Sequence, residues 1–366
     1  MFKEKMMPAQ EAAVGAAAEQ TPLVDESTIA ELEASVNPAD RLSLQTRTLN
    51  RVMDTFYEPR EPIIDNLLYP GTYILAGASK IGKSFLVAEI AFHVAEGTNL
   101  WNEGYRTKQG EVLYLALEDD LQRIQIRYSK MFGTQGSEHL HFATAAKTVD
   151  EGFMVQLTEY LIAFPQTRLI IIDTLQKIRG LSNETISYSK DYDVITQLKN
   201  LSDKHNLCIL IVHHTRKQDS EDCFEKISGT NGLMGSADAA IIMTRRRGSC
   251  EGKLTITGRD QQEQIIKIEQ DPKTLVWGYK ESETTLWQED DDPVLLKISE
   301  MLQSEKEWSG TATDLIDKMG WEGITGNALS RKLNSKASIL CNRYSIRYVP
   351  VRKSDSRIMT FRLMEE

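Results

Sequence analysis

A glycine-rich stretch constrains this chain of 366 residues more than any other part of it. The stretch reads Gly77-Ala78-Ser79-Lys80-Ile81-Gly82-Lys83-Ser84, which fits the pattern glycine, four residues, Gly-Lys-Ser. A short apolar, strand-like run, 71–76, precedes it, and a run with helical periodicity, 85–95, follows it. Strand, glycine loop and helix, in that order, predict a phosphate-binding loop, and the flanking runs argue against a chance glycine-rich turn.

The residue types of the loop indicate its ligand. Gly77 and Gly82 allow the backbone to turn, so that successive N–H groups point into one concavity at a helix N-terminus, where the helix dipole favours phosphate. Lys83 is expected to reach the β- and γ-phosphates, and Ser84 to place its hydroxyl on Mg²⁺. We therefore predict ATP and Mg²⁺ as ligands. The predicted nucleotide contacts are Gly77, Ala78, Ser79, Lys80, Ile81, Gly82, Lys83, Ser84 and Phe85.

Composition places the chain among globular proteins, with 41% hydrophobic and 26% charged residues and a length suited to about two domains. We see no apolar run long enough to span a bilayer and no secretory signal pattern. The cysteines are scattered without CxxC spacing, which is typical of reduced thiols: Cys208, Cys223, Cys250 and Cys341. We expect a cytoplasmic protein that has no membrane partner.

The order of the elements predicts four segments. Residues 1–40 are rich in Ala and Glu and are expected to form a disordered or loosely helical tail. Strand and helix patterns alternate over 41–280, which predicts an α/β fold, doubly wound, with an antiparallel edge. An acidic linker is expected at 281–292. Three helices, the third near 327–340, and a terminal hairpin over 293–366 predict a small winged-helix domain.

Acidic side chains follow two of the predicted strands. Asp173 ends an apolar strand, where it is expected to orient Mg²⁺ together with Ser84, the alternative being a cap on the next turn. Glu118 ends another strand at the same edge of the sheet, and we predict that it orients or deprotonates the attacking water. Asp119 and Asp120 compete for that role, or cap the helix that follows.

Two adjacent histidines, His213 and His214, end a further strand. A neutral imidazole there is predicted to bond the γ-phosphate and report hydrolysis to the next loop. A satisfied core histidine is the alternative for one of the two. Metal ligation is disfavoured, because neighbouring side chains on a strand point to opposite faces.

Basic residues later in the chain supply further hypotheses. The small-residue loop 228–236 is suited to hold a DNA backbone, or is an ordinary loop. Among Arg245–Arg247, Arg246 is a candidate arginine finger for a neighbouring subunit, and Arg259 is a second candidate; a solvated basic turn is the alternative. Such a finger requires a ring or a filament.

The C-terminal segment carries a cluster of basic residues that has little acidic counterweight beyond Asp355, although the whole chain has a formal net charge of −10. This pattern predicts a phosphate-binding surface, with the third helix in the major groove and the hairpin tip on the backbone. A protein-binding wing is the alternative. The cluster comprises Arg331, Lys332, Lys336, Arg343, Arg347, Arg352, Lys353, Arg357 and Arg362. Of these, we predict DNA contacts from Arg331, Lys332, Arg352, Lys353 and Arg357.

In chain order, several segments resemble the RecA-like ATPases of the plasmid RepA-type helicase family. They are Tyr69-Pro70-Gly71, the loop 76–84, Tyr114-Leu115-Ala116-Leu117-Glu118-Asp119, Ile171-Ile172-Asp173-Thr174 and Val212-His213-His214-Thr215-Arg216-Lys217, followed by Gly258-Arg259-Asp260. The resemblance covers roughly Leu67 to Trp277. It implies a RecA-like P-loop core, usually in a hexameric ring, that hydrolyses ATP to move on single-stranded DNA at replication origins of plasmids, phages and integrated elements.

The same resemblance implies roles for single residues. Lys83 and Ser84 bind phosphate and Mg²⁺, Asp173 is the second carboxylate on the metal side, and Glu118 is the catalytic base. His213 or His214 is the sensor. The leading hypothesis is therefore an ATP-dependent DNA helicase or translocase of a mobile element. The alternatives are a DNA-binding regulator that uses ATP as an assembly switch, and a filament-forming recombination mediator.

Overall fold

The computed structural model describes residues 46–179, 188–215, 235–259, 261–284, 291–352 and 356–364. The chain divides into two units, Met1–Thr55 and Phe56–Glu366. In the described part of the first unit, helix α1 (Leu49–Asp54) begins where the Thr48 side chain accepts a hydrogen bond from the Arg51 N–H. The predicted tail, 1–40, lies outside the described residues.

In the residues that the structure describes, the second unit is built on a nine-stranded mixed sheet. Its strands are β1 (Gly71–Gly77), β2 (Glu111–Ala116), β3 (Leu140–Ala143), β4 (Thr167–Asp173), β5 (Cys208–His214), β6 (Ala239–Arg245), β7 (Glu251–Gly258), β8 (Gln264–Gln270) and β9 (Trp277–Ser282). Their order is β3-β2-β4-β5-β1-β6-β7-β8-β9. The strands from β3 through β1 to β6 in this sheet order run parallel to one another. Strands β7, β8 and β9 extend the sheet in antiparallel pairs. The expected α/β fold with an antiparallel edge is confirmed.

Helices cover both faces of the parallel part. They are α2 (Lys83–Glu96), α3 (Leu121–Phe132), α4 (Phe153–Ala163), α5 (Leu175–Ile178) and α6 (Tyr188–His205). Alternate residues of β1 enter different cores: Leu75 packs with α2 and α3, whereas Ile74 packs with α4 and α6. Burial on both faces explains why the parallel strands are apolar throughout. Among the described residues, no helix is both long enough and apolar enough to cross a membrane.

The C-terminal part contains helices packed on a small antiparallel sheet. Its elements are α7 (Pro293–Glu305), β10 (Glu307–Thr311), α8 (Ala312–Met319), α9 (Gly326–Ser335), α10 (Ala337–Tyr344), β11 (Ile346–Arg352) and β12 (Arg357–Leu363). The sheet order is β10-β12-β11. The acidic stretch predicted as a linker is shorter at both ends, because β9 continues to Ser282 and the Asp292 side chain caps α7.

The helix predicted near 327–340 is two helices rather than one. The backbone leaves helical geometry at Lys336, with φ −105° and ψ 11°, between α9 and α10. The break lets α9 bury Leu329 and Leu333 while α10 buries Ala337 and Leu340 in the same core. Strand β10, which the sequence pattern does not predict, is an edge strand paired with β12, and its polar sequence gives little strand signal.

A cleft of about 620 Å³ lies between the C-terminal part and the α/β core. On the core side it is lined by residues that precede three parallel strands: Gln109 before β2, Gln166 before β4 and Asn206 before β5. Across it, Phe56 meets Tyr348 edge to face, with ring centroids 5.5 Å apart. The C-terminal part therefore faces the N-terminal edge of the parallel strands, opposite the edge at which the glycine loop begins.

Candidate nucleotide-phosphate site

The glycine loop connects β1 to α2, and two of its glycines are required by the geometry. Gly82 begins α2 in a left-handed conformation, with φ 101°. At Gly77, an added Cβ would lie 2.5 Å from the Met243 carbonyl oxygen, closer than real atoms approach. Lys80 also has a left-handed backbone, with φ 65°. The loop thus has the tight, left-handed backbone that the predicted concavity at a helix N-terminus requires.

The Lys83 side chain lies inside this loop, and the residue is only 4% exposed. Its Nζ donates to the carbonyl oxygens of Gly77 at 2.7 Å and Ala78 at 2.8 Å. Burial lowers the pKa of Lys83 to about 8, although the carboxylates of Asp173 and Glu118 oppose the shift. A buried ammonium group held by neutral carbonyls gains strongly from an anionic partner, so the site fits a phosphate chain.

Ser84 and Asp173 come together at the start of α2 and the end of β4. The Ser84 Oγ donates to Asp173 Oδ2 at 3.2 Å, and the buried Tyr114 hydroxyl donates to the same oxygen at 3.1 Å. Burial raises the pKa of Asp173, while these two hydrogen bonds counteract it. A hydroxyl beside a carboxylate supplies hard oxygen ligands, so the pair fits the predicted Mg²⁺.

The three acids after β2 have different partners. Asp119 forms an ion pair with Arg127 at 2.6 Å, and Asp120 caps α3 by accepting the Arg123 N–H at 2.8 Å. Glu118 accepts from the Thr174 hydroxyl at 3.2 Å and lies beside the phosphate loop. Among the three, Glu118 is therefore the carboxylate positioned toward the site.

The two histidines are separated by the alternation of strand β5. His214 lies opposite Gly77 in the parallel register, with Nδ1 3.1 Å from Lys83 Nζ and 3.4 Å from Ser79 Oγ. Its Nε2 lies 3.8 Å from Glu118 Oε2. His213 is the neighbour of Ala76 in the register and points to the other face. Among the described residues, no cluster of His, Cys, Asp and Glu is arranged to hold a metal ion.

The candidate finger arginines differ in their surroundings. Arg246 is exposed on the turn that follows β6. Arg259 donates from Nη2 to the Gly235 carbonyl at 2.5 Å. Arg245 is directed back at the loop of its own chain, where Nη1 lies 3.4 Å from the Ile81 carbonyl oxygen. Most of the predicted DNA-binding loop, 228–234, lies outside the described residues.

The expectation that the C-terminal basic cluster has little acidic counterweight is wrong. Acidic residues distant in sequence pair with members of the cluster that the structure describes: Lys332 with Asp292, Arg343 with Asp291, Arg347 with Glu58, and Arg362 with Glu307. These acids come earlier in the chain than the cluster, and folding brings them next to it. Lys353 and Asp355 lie outside the described residues.

Two of the predicted DNA contacts lie at the end of the terminal hairpin. Arg352 and Arg357 are directly opposite each other, at the end of β11 and the start of β12. Arg352 is exposed, and Arg357 is half-buried. Arg331 is half-buried on α9. Because ion pairs occupy part of the cluster, the basic surface available to a phosphate backbone is smaller than the sequence predicts.

Sequence reasoning missed the groups that hold the predicted side chains in place. Tyr114 bonds Asp173, Thr174 bonds Glu118, and Arg127 pairs with Asp119. One signal was available for Tyr114: a phenol within an apolar strand must satisfy its hydroxyl when buried. The pairing of Arg127 depends on how α3 packs beside α2, which the sequence pattern does not specify.

Comparison with known proteins identifies the class. A family model described as AAA domain (AAA_25) matches residues 38–220, and the chain belongs to this family. No curated protein matches the chain. The solved structure of a DnaB-like replicative helicase and its interactions with primase is similar, with a TM-score of 0.52 and 11% identity over 70% of this chain and 71% of that chain. A solved ATPase domain matches with a TM-score of 0.48 and 12% identity, over 72% of this chain and 100% of that chain. The α/β core is therefore similar in fold to the DnaB-like helicase structure.

Proposed function

We propose that this protein is an ATP-hydrolysing motor that acts on DNA, a helicase or translocase of the RepA type from a plasmid, phage or integrated element. One observation carries the proposal. Four separate segments bring five side chains to one edge of the sheet, each within hydrogen-bonding or ion-pairing distance of another: Lys83, Ser84, Asp173, Glu118 and His214. Phosphate-loop chemistry requires this set: a cation, a metal-side hydroxyl and carboxylate, and a base.

In this proposal each side chain acts at a stated atom of the substrate. The N–H groups of the loop and the Lys83 Nζ bind the β- and γ-phosphates of ATP. Ser84 Oγ and Asp173 are the groups that would hold Mg²⁺, which neutralises charge on the phosphate oxygens when it is bound. Glu118 orients the water for in-line attack on the γ-phosphate. His214 lies between Lys83 and Glu118, so it is placed to respond when the γ-phosphate leaves.

The proposal includes a homo-oligomer, expected to be a hexameric ring. Arg246, exposed at the end of β6, and Arg259 are the candidates for the finger that each subunit supplies to its neighbour. The DnaB-like relative supports a helicase fold for the core, and the ring is our inference from the resemblance to RepA-type helicases.

We also propose that residues 293–366 form a winged-helix domain that binds DNA, joined by the acidic linker to a nucleotide domain over 41–280. Its elements follow the order helix, strand, helix, divided helix and hairpin, which is the order of that motif. Arg352 and Arg357 are its best-placed contacts, and Arg331 and Lys353 are the further contacts that the sequence predicts. Lys332 is less well placed, because Asp292 already binds its ammonium group.

The test compares ATP hydrolysis with and without single-stranded DNA, together with strand displacement on a forked duplex. We expect DNA to stimulate hydrolysis and Lys83→Ala to abolish both activities. Hydrolysis that DNA does not change, with no strand displacement, would reject the motor. Site-specific DNA binding retained in Lys83→Ala would then favour an ATP-switched regulator. Electron microscopy with a non-hydrolysable analogue separates rings from filaments.

A further inference from the structure

Trp277, the first residue of β9, is fully buried directly behind the phosphate loop. Its indole Nε1 donates to the Gly82 carbonyl oxygen at 3.3 Å. The ring is so close that a Cβ on Gly82 would lie 2.7 Å from Trp277 Cζ2. The two residues are 195 positions apart in the chain, so this contact joins the antiparallel edge of the sheet to the loop.

Arg245 completes this contact from the end of β6. Its guanidinium group lies over the Trp277 ring, 5.1 Å from the centroid. Nη1 donates to Gln270 Oε1 at 2.7 Å and lies 3.4 Å from the Ile81 carbonyl oxygen, and Nε donates to the Ser249 carbonyl at 2.6 Å. A planar guanidinium with this many fixed partners is held in one orientation.

The carbonyl groups of Ile81 and Gly82 belong to peptide units whose N–H groups are those of Gly82 and Lys83. Both peptide units are trans, and in a trans peptide the C=O and the N–H point in opposite directions. The Gly82 carbonyl oxygen also accepts from the Phe85 and Leu86 N–H groups at the start of α2. Arg245 and Trp277 act together with this helical turn: they hold the two carbonyls on the back of the loop and so direct the two N–H groups to the front. The front is the concavity predicted to receive phosphate.

Glu89 fixes Trp277 in turn. It lies on α2, is 1% exposed, and accepts the Trp277 backbone N–H on Oε2 at 2.8 Å. Burial raises the pKa of Glu89 to about 8, since its bond to that N–H offsets only part of the desolvation. The helix that follows the loop and the strand behind the loop are therefore joined at a second point, about two helical turns after Gly82.

We propose that Arg245 and Trp277 form a loop clamp, a pair of positioning residues that orients the phosphate-binding N–H groups of the same chain. The inference rests on the proposed function, because it concerns the binding of a nucleoside triphosphate at this loop. It gives Arg245 a role within its own subunit, distinct from that of a finger, and makes the first residue of β9 part of the nucleotide site. The clamp acts on nucleotide binding more than on the chemical step.

The test uses two conservative variants of the full-length protein. Trp277→Phe keeps an aromatic ring and removes the indole donor, and Arg245→Met keeps an apolar stem and removes the guanidinium. For each, we expect the Kd for a fluorescent ATP analogue and the KM for ATP to rise about 10-fold, which corresponds to one hydrogen bond removed from an oriented carbonyl. Maximal turnover is expected to stay within about threefold of wild type, since Lys83 and Glu118 are unchanged. Arg245→Lys should recover part of the affinity.

Two controls separate the clamp from general destabilisation. Lys273→Ala changes an exposed residue on the turn that precedes β9, outside the clamp, and should bind nucleotide as wild type does. Phe361→Leu weakens the buried C-terminal core, far from the loop. Its melting temperature is compared with those of the clamp variants, so that affinities are compared at similar stability. Wild-type affinity in Trp277→Phe and Arg245→Met would overturn the clamp, and so would an equal loss of affinity in Phe361→Leu. Failure of the wild-type protein to bind nucleotide would instead overturn the proposed function.

Discussion

Lys83 connects nucleotide binding to pH. Its pKa of about 8 in the free protein results from burial, and the negative phosphates of a bound nucleotide raise that pKa. Above pH 8 the free protein has lost this proton whereas the complex retains it. Binding therefore takes up a proton, and we expect affinity to fall as the pH rises from about 8 toward about 10.

Calorimetry at pH 9 in two buffers of different ionisation enthalpy measures this uptake directly. We expect about one proton per bound nucleotide for the wild-type protein. Lys83→Met is the matched control, since it keeps the length of the side chain and cannot be protonated; its weaker binding is measured at higher protein concentration. Binding of wild type without proton uptake at pH 9 would contradict the prediction.

Glu118 differs from its acidic neighbours, because Asp119 pairs with Arg127 and Asp120 caps α3. Glu118→Gln should lower the turnover of ATP by about 10²- to 10⁴-fold while nucleotide affinity is retained, because the amide still accepts from Thr174 but is no longer a base. Asp120→Asn is the control: asparagine caps a helix as well as aspartate does, so activity and stability should remain. A steady-state ATPase assay of both variants, with nucleotide binding measured in parallel, shows whether Glu118 or Asp120 is the carboxylate required for hydrolysis.

The residues that the sequence identified are those with local signatures. Gly77, Lys83 and Ser84 follow a fixed spacing, and Asp173 and His214 stand where apolar strands end. Trp277 and Glu89 have no such signature: each looks like part of a regular strand or helix until the fold brings them together across 188 positions. Their roles come from tertiary packing, which periodicity does not encode.

At the scale of elements, the strands and helices of the core were predictable because their hydrophobic periods are clear. The C-terminal part was less so. A helix that breaks at Lys336 and an edge strand of sequence Glu307-Trp308-Ser309-Gly310-Thr311 both depend on the shared core rather than on local preference. The same cause explains the ion pairs of the basic cluster, since acids from other elements are brought to it by packing.

The hairpin formed by β11 and β12 gives a prediction at this scale. Arg352→Ala and Arg357→Ala, at the end of the hairpin where β11 connects to β12, should each weaken DNA binding. The slope of log K against log salt should become shallower by about 0.9 for each phosphate that the protein no longer neutralises. Arg362→Ala is the matched control on the same strand, because two of its guanidinium nitrogens each donate to Glu307 at 3.1 Å.

Binding is measured by fluorescence anisotropy over a range of salt concentrations, with a labelled duplex and a labelled single strand. The slopes then resolve the contributions of the two kinds of DNA. An equal loss of affinity in Arg362→Ala, or unchanged slopes in all three variants, would place the DNA-binding surface elsewhere in the protein.

At the scale of the assembly, the finger hypothesis predicts that subunits complement one another. Arg246→Ala alone should reduce ATP turnover by about 10³-fold or more, and Lys83→Ala alone should be inactive. In a mixture, an Arg246→Ala subunit receives an intact finger from a Lys83→Ala neighbour. We therefore expect the mixed sample to hydrolyse ATP faster than either variant alone.

Re-equilibration of the two purified variants under conditions of reversible assembly, followed by an ATPase assay at several mixing ratios, tests this expectation. Arg259→Ala in place of Arg246→Ala provides the comparison between the two candidate fingers. Activity that stays at the level of the separate variants for both arginines would argue against catalysis across a subunit boundary.

The cleft beside the C-terminal part has a mechanical consequence. Strands β2, β4 and β5 begin at its wall, near Gln109, Gln166 and Asn206, and the same strands lead to Glu118, Asp173 and His214. Each is a stiff rod of roughly 20 Å, given about 3.3 Å per residue. If the protein is the motor proposed above, a force that DNA exerts on the C-terminal part is transmitted along these three strands to the side chains around the γ-phosphate.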